Sequence, residues 1–131
     1  MPTSPLPDEL RTLLAKPNAA VMATVRQDGQ PVTVATWYLL DGDRFLVNLD
    51  ATRTRLAHLR RDPRLSLTVL DSDTWYTHVS IQGRVTEIRD DLDLVDIDRI
   101  CSHYNGHPYS NRTSPRVSVY FQAERWHGWN T

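Results

Sequence analysis

The chain has one cysteine, Cys101, one lysine, Lys16, and two phenylalanines among its 131 residues. A single cysteine excludes an intramolecular disulfide and any site built from several thiolates. Scarce lysine does not mean scarce positive charge, because fourteen arginines bring the cations to 15 against 16 carboxylates, a formal net charge of -1. No overall basic field therefore points to nucleic acid as a partner. Long hydrophobic runs are also missing: no segment approaches the ~18 consecutive apolar residues of a membrane span, and no membrane partner is expected. The start, "MPTSPLPDEL", has neither a basic segment nor an apolar run, so a cytoplasmic location is expected. The length suits one domain over 1–131, with a helical cap at about 6–16. A chain of this size buries a real core, but a deep ligand pocket calls for a second subunit.

What is present is short-period alternation. "LPDELRTLLAK" reads as a helix with Asp8 near its start, Leu10, Leu13 and Leu14 on one face, and Pro17 as its stop. From residue 19 the period becomes two: "AAVMATVR", a turn at Asp28-Gly29, "PVTVATWYLL", a turn at Asp41-Gly42, then "RFLVNLD". Residues 19–50 thus predict a three-stranded antiparallel meander. A short helix at about 52–61 follows, then the strands "RLSLTVLD" and "THVSIQGRVTEI", the second with a bulge at Gly83. "DDLDLVDIDRICSHY" predicts an acidic amphipathic helix with an Asp cap, Cys101 on its buried face, and "RVSVYFQAERWHGW" a last strand. Six antiparallel strands with two or three short helices make a mainly β, α+β chain, and the size suits a small closed barrel.

The stretch "VNLDATRTRLAHLRRDPRLSL" sets four polar residues, Thr52, Arg53, Thr54 and Arg55, where a strand gives way to a helix. A helix beginning near Thr52 presents unpaired N–H groups and the positive end of its dipole, and Thr52 or Thr54 can add a hydroxyl. At about 100° per residue, Arg53 and Arg55 flank the Leu56/Leu59 stripe that faces the core. Two guanidinium groups there suit a phosphate. The alternative is plain surface pairing with Asp50 or Asp62. Arg60 and Arg61, at the far end, complement the C-terminal dipole.

The order of "AVMATVRQDGQP", "RTRLAHLRRDPRLSL", "VSIQGRVTEI" and "RVSVYFQAERWHGW" resembles the pyridoxamine 5′-phosphate oxidase-like split β-barrel superfamily, and within it the actinobacterial deazaflavin (coenzyme F420)-dependent reductases. The resemblance implies a split barrel of the FMN-binding type that pairs as a homodimer, with a cofactor groove across the interface. It assigns the cofactor phosphate to Arg53 and Arg55 with Thr52 beside them, and the ring to Ala35, Thr36 and Trp37 on strand two and to the region of Asn48. Trp37 reads equally well as core. Trp75, Tyr76 and His78 are implied as pocket walls given by the partner subunit, together with "RWHGW", while Tyr104, His107 and Tyr109 are candidates for the substrate entrance. Trp37, Trp75 and Trp126 suit a flat hydrophobic ligand.

The implied activity is hydride transfer from reduced F420 to an activated double bond, a conjugated C=C, C=N or quinone-like system, of a small planar hydrophobic substrate. An FMN-binding oxidoreductase on the same barrel, and a non-catalytic F420- or flavin-binding protein, are the alternatives. Pyridoxamine phosphate oxidase activity itself is not expected, because "AERWHGWNT" lacks the basic substrate-binding end of those longer enzymes. No residue is assigned as catalytic, and no metal site is expected.

Overall fold

Alternating burial along each strand assembles the sheet. In the computed structural model, which describes residues 5–131, β1 (Ala19–Val25) turns Ala20, Met22 and Thr24 inward. Residues 1–4, the start of the domain expected over 1–131, lie outside the described residues. Asp28-Gly29 returns the chain into β2 (Pro31–Thr36), with Gly29 in the left-handed region and Asp28 Oδ1 accepting the Gln30 N–H at 3.1 Å. β3 (Leu39–Asp41) and β4 (Arg44–Asp50) form a second hairpin. After α2 (Thr54–Arg61), β5 (Arg64–Leu70) pairs with β1 on one side and with β6 (His78–Asp90) on the other. A 3-10 turn at Leu92–Leu94 and α3 (Val95–Asn105) then lead by a polar loop to β7 (Arg116–Trp129), which lies between β6 and β4.

The sheet runs β2-β1-β5-β6-β7-β4-β3 with every neighbouring pair antiparallel. Its two end strands, β2 and β3, are joined through Trp37-Tyr38 but share no ladder, so the barrel is split along this line. The expected meander over 19–50 is therefore corrected to two hairpins at opposite ends of the strand order, and the six expected strands become seven. Alternation tells which face a residue takes; it does not tell which strand lies alongside. Here β4 finds its neighbour in β7, with Val47 opposite Val119, and the side chain of Tyr38 enters the core where the second strand breaks.

The core fills the barrel. Phe45 stacks on Phe121 at 5.2 Å between centroids, and α1 (Asp8–Leu14) adds Leu10 and Leu14 to the same cluster. α3 packs on the other face of β4 and β7, placing Ile100 with Leu46 and Tyr120. Asp91 supplies the expected cap from before the helix: its Oδ1 accepts the Asp96 N–H and its Oδ2 the Ile97 N–H, both at 2.9 Å. Cys101 is buried there.

Gly83 sits where the β6–β7 register shifts, as expected of a bulge. A Cβ at this position would lie 2.5 Å from the Gln122 carbonyl oxygen, a backbone atom that cannot rotate away. Gly83→Ala should therefore destabilise the protein by about 1–3 kcal/mol, as overpacking does. Thermal unfolding of the variant checks this, and an unchanged midpoint would refute the close approach.

Candidate functional site

The strand-to-helix junction after β4 is organised by Asp50, whose Oδ1 accepts the Thr52 N–H at 2.9 Å and the Thr52 hydroxyl at 2.7 Å. Thr52 is thereby committed to the turn. Arg53 caps the helix in extended conformation, and α2 buries Leu56, His58 and Leu59 against the barrel. The remaining face of its first turn presents Arg53, Thr54 and Arg55 to a depression of about 490 Å³, closed on its other side by Val32, Val34 and Arg26. The two arginines reach the same space.

The charge balance there is one-sided. Arg55 is half-buried, and its Nη1 is buried with no hydrogen-bond partner. Burial, and secondarily the charge of Arg53, push the Arg55 guanidinium below its ordinary value. Neither surface carboxylate relieves it: Asp62 binds Arg64 at 2.7 Å, and Asp50 holds Thr52. Among the described residues, neither Arg53 nor Arg55 makes an ion pair. A buried donor on a cation with no partner carries a desolvation cost that a bound anion would relieve.

Strand β2 continues from this depression into a second one of about 570 Å³, lined by Ala35, Thr36, Trp37, Asn48, Tyr104 and Arg116 among others. The rings of Trp37 and Tyr104 stack at 5.3 Å and form an aromatic wall. Asn48 borders the groove, yet its side chain is fully used: Nδ2 donates to Asp91 Oδ2 at 3.0 Å and Ser118 Oγ at 3.1 Å, and Oδ1 accepts from Arg116 Nε at 2.9 Å. Small side chains at Ala19, Ala20 and Ala35 keep the opposite wall low.

The remaining sequence candidates lie elsewhere. Trp75 and Tyr76, 67% and 57% exposed, sit in the β5–β6 connection and border neither depression. His78 starts β6 with Nδ1 against the carbonyls of Trp75 and Tyr76 at 3.2 and 3.1 Å, and pairs with Trp129 across the ladder. Trp126 is core, 5% exposed, and so is not a ligand wall. His107 is exposed; Tyr109 joins Tyr104 at the groove. Arg61 donates to the Val25 carbonyl, clamping the end of α2 to β1. Sequence reasoning missed His58, Asn18 and Arg116. Only the "RLAHL" spacing, which sets His58 three residues after Arg55, gave any signal.

A sequence model described as pyridoxamine 5′-phosphate oxidase matches residues 6–130. Among solved structures, an F420 reductase superposes with a TM-score of 0.83 at 24% identity, over 93% of this chain and 98% of that one. A conserved hypothetical protein from Mycobacterium tuberculosis gives 0.74 at 27% identity, over 97% and 86%. A putative pyridoxamine 5′-phosphate oxidase from Listeria innocua gives 0.72 at 17% identity, over 95% and 98%.

The far end of α2 is held independently of any ligand. Hydrogen bonds from Arg64 hold the Asp62 carboxyl down at about 2. Against an unfolded value of about 3.9, a depressed folded value gives stability that is complete at neutral pH and is lost as pH falls through 2. Asp62→Asn should therefore lower the urea midpoint at pH 7 and converge with the parent protein near pH 2. Equal midpoints at pH 7 would show that the pair contributes nothing.

Proposed function

We propose, from the premise that this chain belongs to the pyridoxamine 5′-phosphate oxidase family, that it is a reductase using the deazaflavin coenzyme F420, with the phosphate on Arg53 and Arg55. The observation that carries the reading is the buried, unpartnered Nη1 of Arg55 beside a second unpaired arginine. A phosphate fits this donor set, because it brings both the missing acceptors and the missing negative charge. The likeness to a solved F420 reductase supports the deazaflavin over FMN. Thr54 borders the site, and Thr52 acts through the turn that aims the arginines.

When bound in reduced form, the deazaflavin supplies a hydride to an electron-poor carbon of a conjugated C=C, C=N or quinone-like acceptor. The chain's own part is binding, orientation and exclusion of water. Ala35 and Thr36 give a low edge against which a flat ring can lie, with the stacked Trp37–Tyr104 pair walling the same groove. Tyr104 is not a ready acid: it donates to the Asn18 carbonyl at 2.6 Å, and burial pushes it up to about 12. The proton then comes from solvent.

A homodimer completes the site in this reading. On the outer face of β1, β2 and β5 the residues in register are Val21 with Ala35 and Thr68, and Ala23 with Thr33 and Ser66. These side chains are uncharged, small and half-buried or exposed, a flat surface that a second copy can cover. The partner's Trp75, Tyr76 and His78 are the proposed outer wall.

Titration of the apoprotein with F420, FMN and FAD tests the cofactor, and tightest binding of FMN would overturn the deazaflavin. Arg53→Ala and Arg55→Ala should each weaken binding about ten- to a hundredfold, the loss of a charged hydrogen bond worth roughly 1.5–3 kcal/mol, with the fold intact by circular dichroism. Unchanged affinity in both variants would remove the phosphate from this junction. Sedimentation should give twice the chain mass, and a fully active monomer would exclude the shared groove.

A further inference from the structure

His58 lies one turn beyond Arg55 on the same side of α2 and borders the depression that holds both arginines. It is buried, 7% exposed, and its Nδ1 stands 2.8 Å from Thr24 Oγ1. Thr24 is buried on β1, and its hydroxyl has no other hydrogen-bond partner among the described residues. That fixes the direction of the bond. If Nδ1–H donated, the Thr24 proton would be buried without an acceptor, at the full cost of a lost hydrogen bond. The hydroxyl therefore donates, Nδ1 accepts, and the ring proton resides on Nε2.

The space around the ring is lined by donors. Arg53 and Arg55 from α2 and Arg26 from the end of β1 border the depression with it, and no carboxylate lines that space. The Thr24 bond leaves Nε2–H as the ring's donor, and Nε2 makes no hydrogen bond to any described residue.

We propose that His58 is a third ligand of the anion held by Arg53 and Arg55, donating through Nε2–H, with Thr24 as the positioning residue that fixes its tautomer. The inference rests on the phosphate reading of this depression, and it names the group recognised: a phosphate oxygen. A phosphate monoester and a diester share that chemistry. The ring N–H adds a directed donor, so the site holds one phosphate by two guanidinium groups and one imidazole.

The full chain, labelled with 15N in histidine, is titrated with inorganic phosphate, FMN and riboflavin, with the His58 ring nitrogens followed by NMR. In the free protein Nδ1 should be unprotonated and Nε2 protonated, and phosphate and FMN should shift the Nε2–H signal. Riboflavin, lacking the phosphate, should not shift it. His58→Leu should weaken phosphate binding about tenfold, as expected for one hydrogen bond to a charged group. His58→Gln, which returns an N–H near the Nε2 position, should restore most of it. Thr24→Val should scramble the tautomer and weaken phosphate, and Thr24→Ser should rescue both. An unmoved Nε2 signal at saturating phosphate, while Arg55→Ala abolishes binding, would make His58 structural and overturn the inference alone. Phosphate affinity indifferent to Arg55→Ala would overturn the phosphate reading and this inference together. Because the NMR readout uses the unmodified protein, it decides even where a variant fails to fold.

Discussion

A barrel split between β2 and β3 needs something other than a ladder to hold its two ends, and Tyr38 provides it. The chain crosses from one end of the sheet to the other at Trp37-Tyr38, and the Tyr38 hydroxyl donates to the Leu14 carbonyl at 2.7 Å, at the end of α1. Asn18, fully buried, donates to the Leu13 carbonyl and to the Tyr38 hydroxyl, and its Oδ1 accepts the Ser72 N–H at 3.0 Å. Tyr104 joins from α3, donating to the Asn18 carbonyl and accepting the Tyr38 N–H. One cluster therefore ties α1, the crossing, α3 and the β5–β6 connection. Asn18 and Tyr38 are fully buried, Tyr104 is half-buried, and all three are mutually satisfied, so loss of one would strand a buried partner. The groove wall of Trp37 and Tyr104 is anchored by this knot through the Tyr104 hydroxyl.

The polar groups of the molecule divide into two kinds by whether their partners lie within the chain. On the α3 side, Asp91 and Asp96 are buried, and each finds several donors: Asn48 and two helix N–H groups for Asp91, Ser118 at 2.6 Å with Arg89 and Arg99 for Asp96. Asp93 and Leu94, both in the left-handed region just before the helix, are the strained residues beside this double cap. On the α2 side the opposite holds. Among the described residues Arg53 and Arg55 make no ion pair, Asp50 acting on Arg53 only at longer range, although the chain as a whole carries 16 carboxylates to 15 cations. Two neighbouring cations without an ion pair, one partly buried, are the donor set on which the proposed phosphate site rests.

How much of this was legible depends on the range of the interaction. The helix after β4 and the depression its two arginines share follow from local periodicity and the chemistry of a helix start, and the Gly83 bulge from a glycine inside a strand pattern. What could not be read is what other segments bring. Asn18 stands in "KPNAA", an ordinary turn sequence, yet its side chain meets residues 20 and 54 positions away. Trp126 and Trp75 look alike as exposed-strand or loop aromatics, and only the packing of α1 makes one of them core. The break at Trp37-Tyr38 falls in an unbroken alternating run, because a strand changes neighbours without changing its period.

The unpaired arginine also bears on the balance between stability and function. Filling the Arg55 position with an apolar side chain would remove a desolvation cost from the folded chain, so the residue works against the stability of the protein on its own. Its neighbour makes this worse by like-charge repulsion at the helix start, where the dipole already disfavours cations. The phosphate proposed for this site would reverse every one of these signs at once, pairing both guanidinium groups and suiting the positive helix end. In the proposed reading, ligand binding and local folding of α2 would be coupled, the helix being most stable with the site filled.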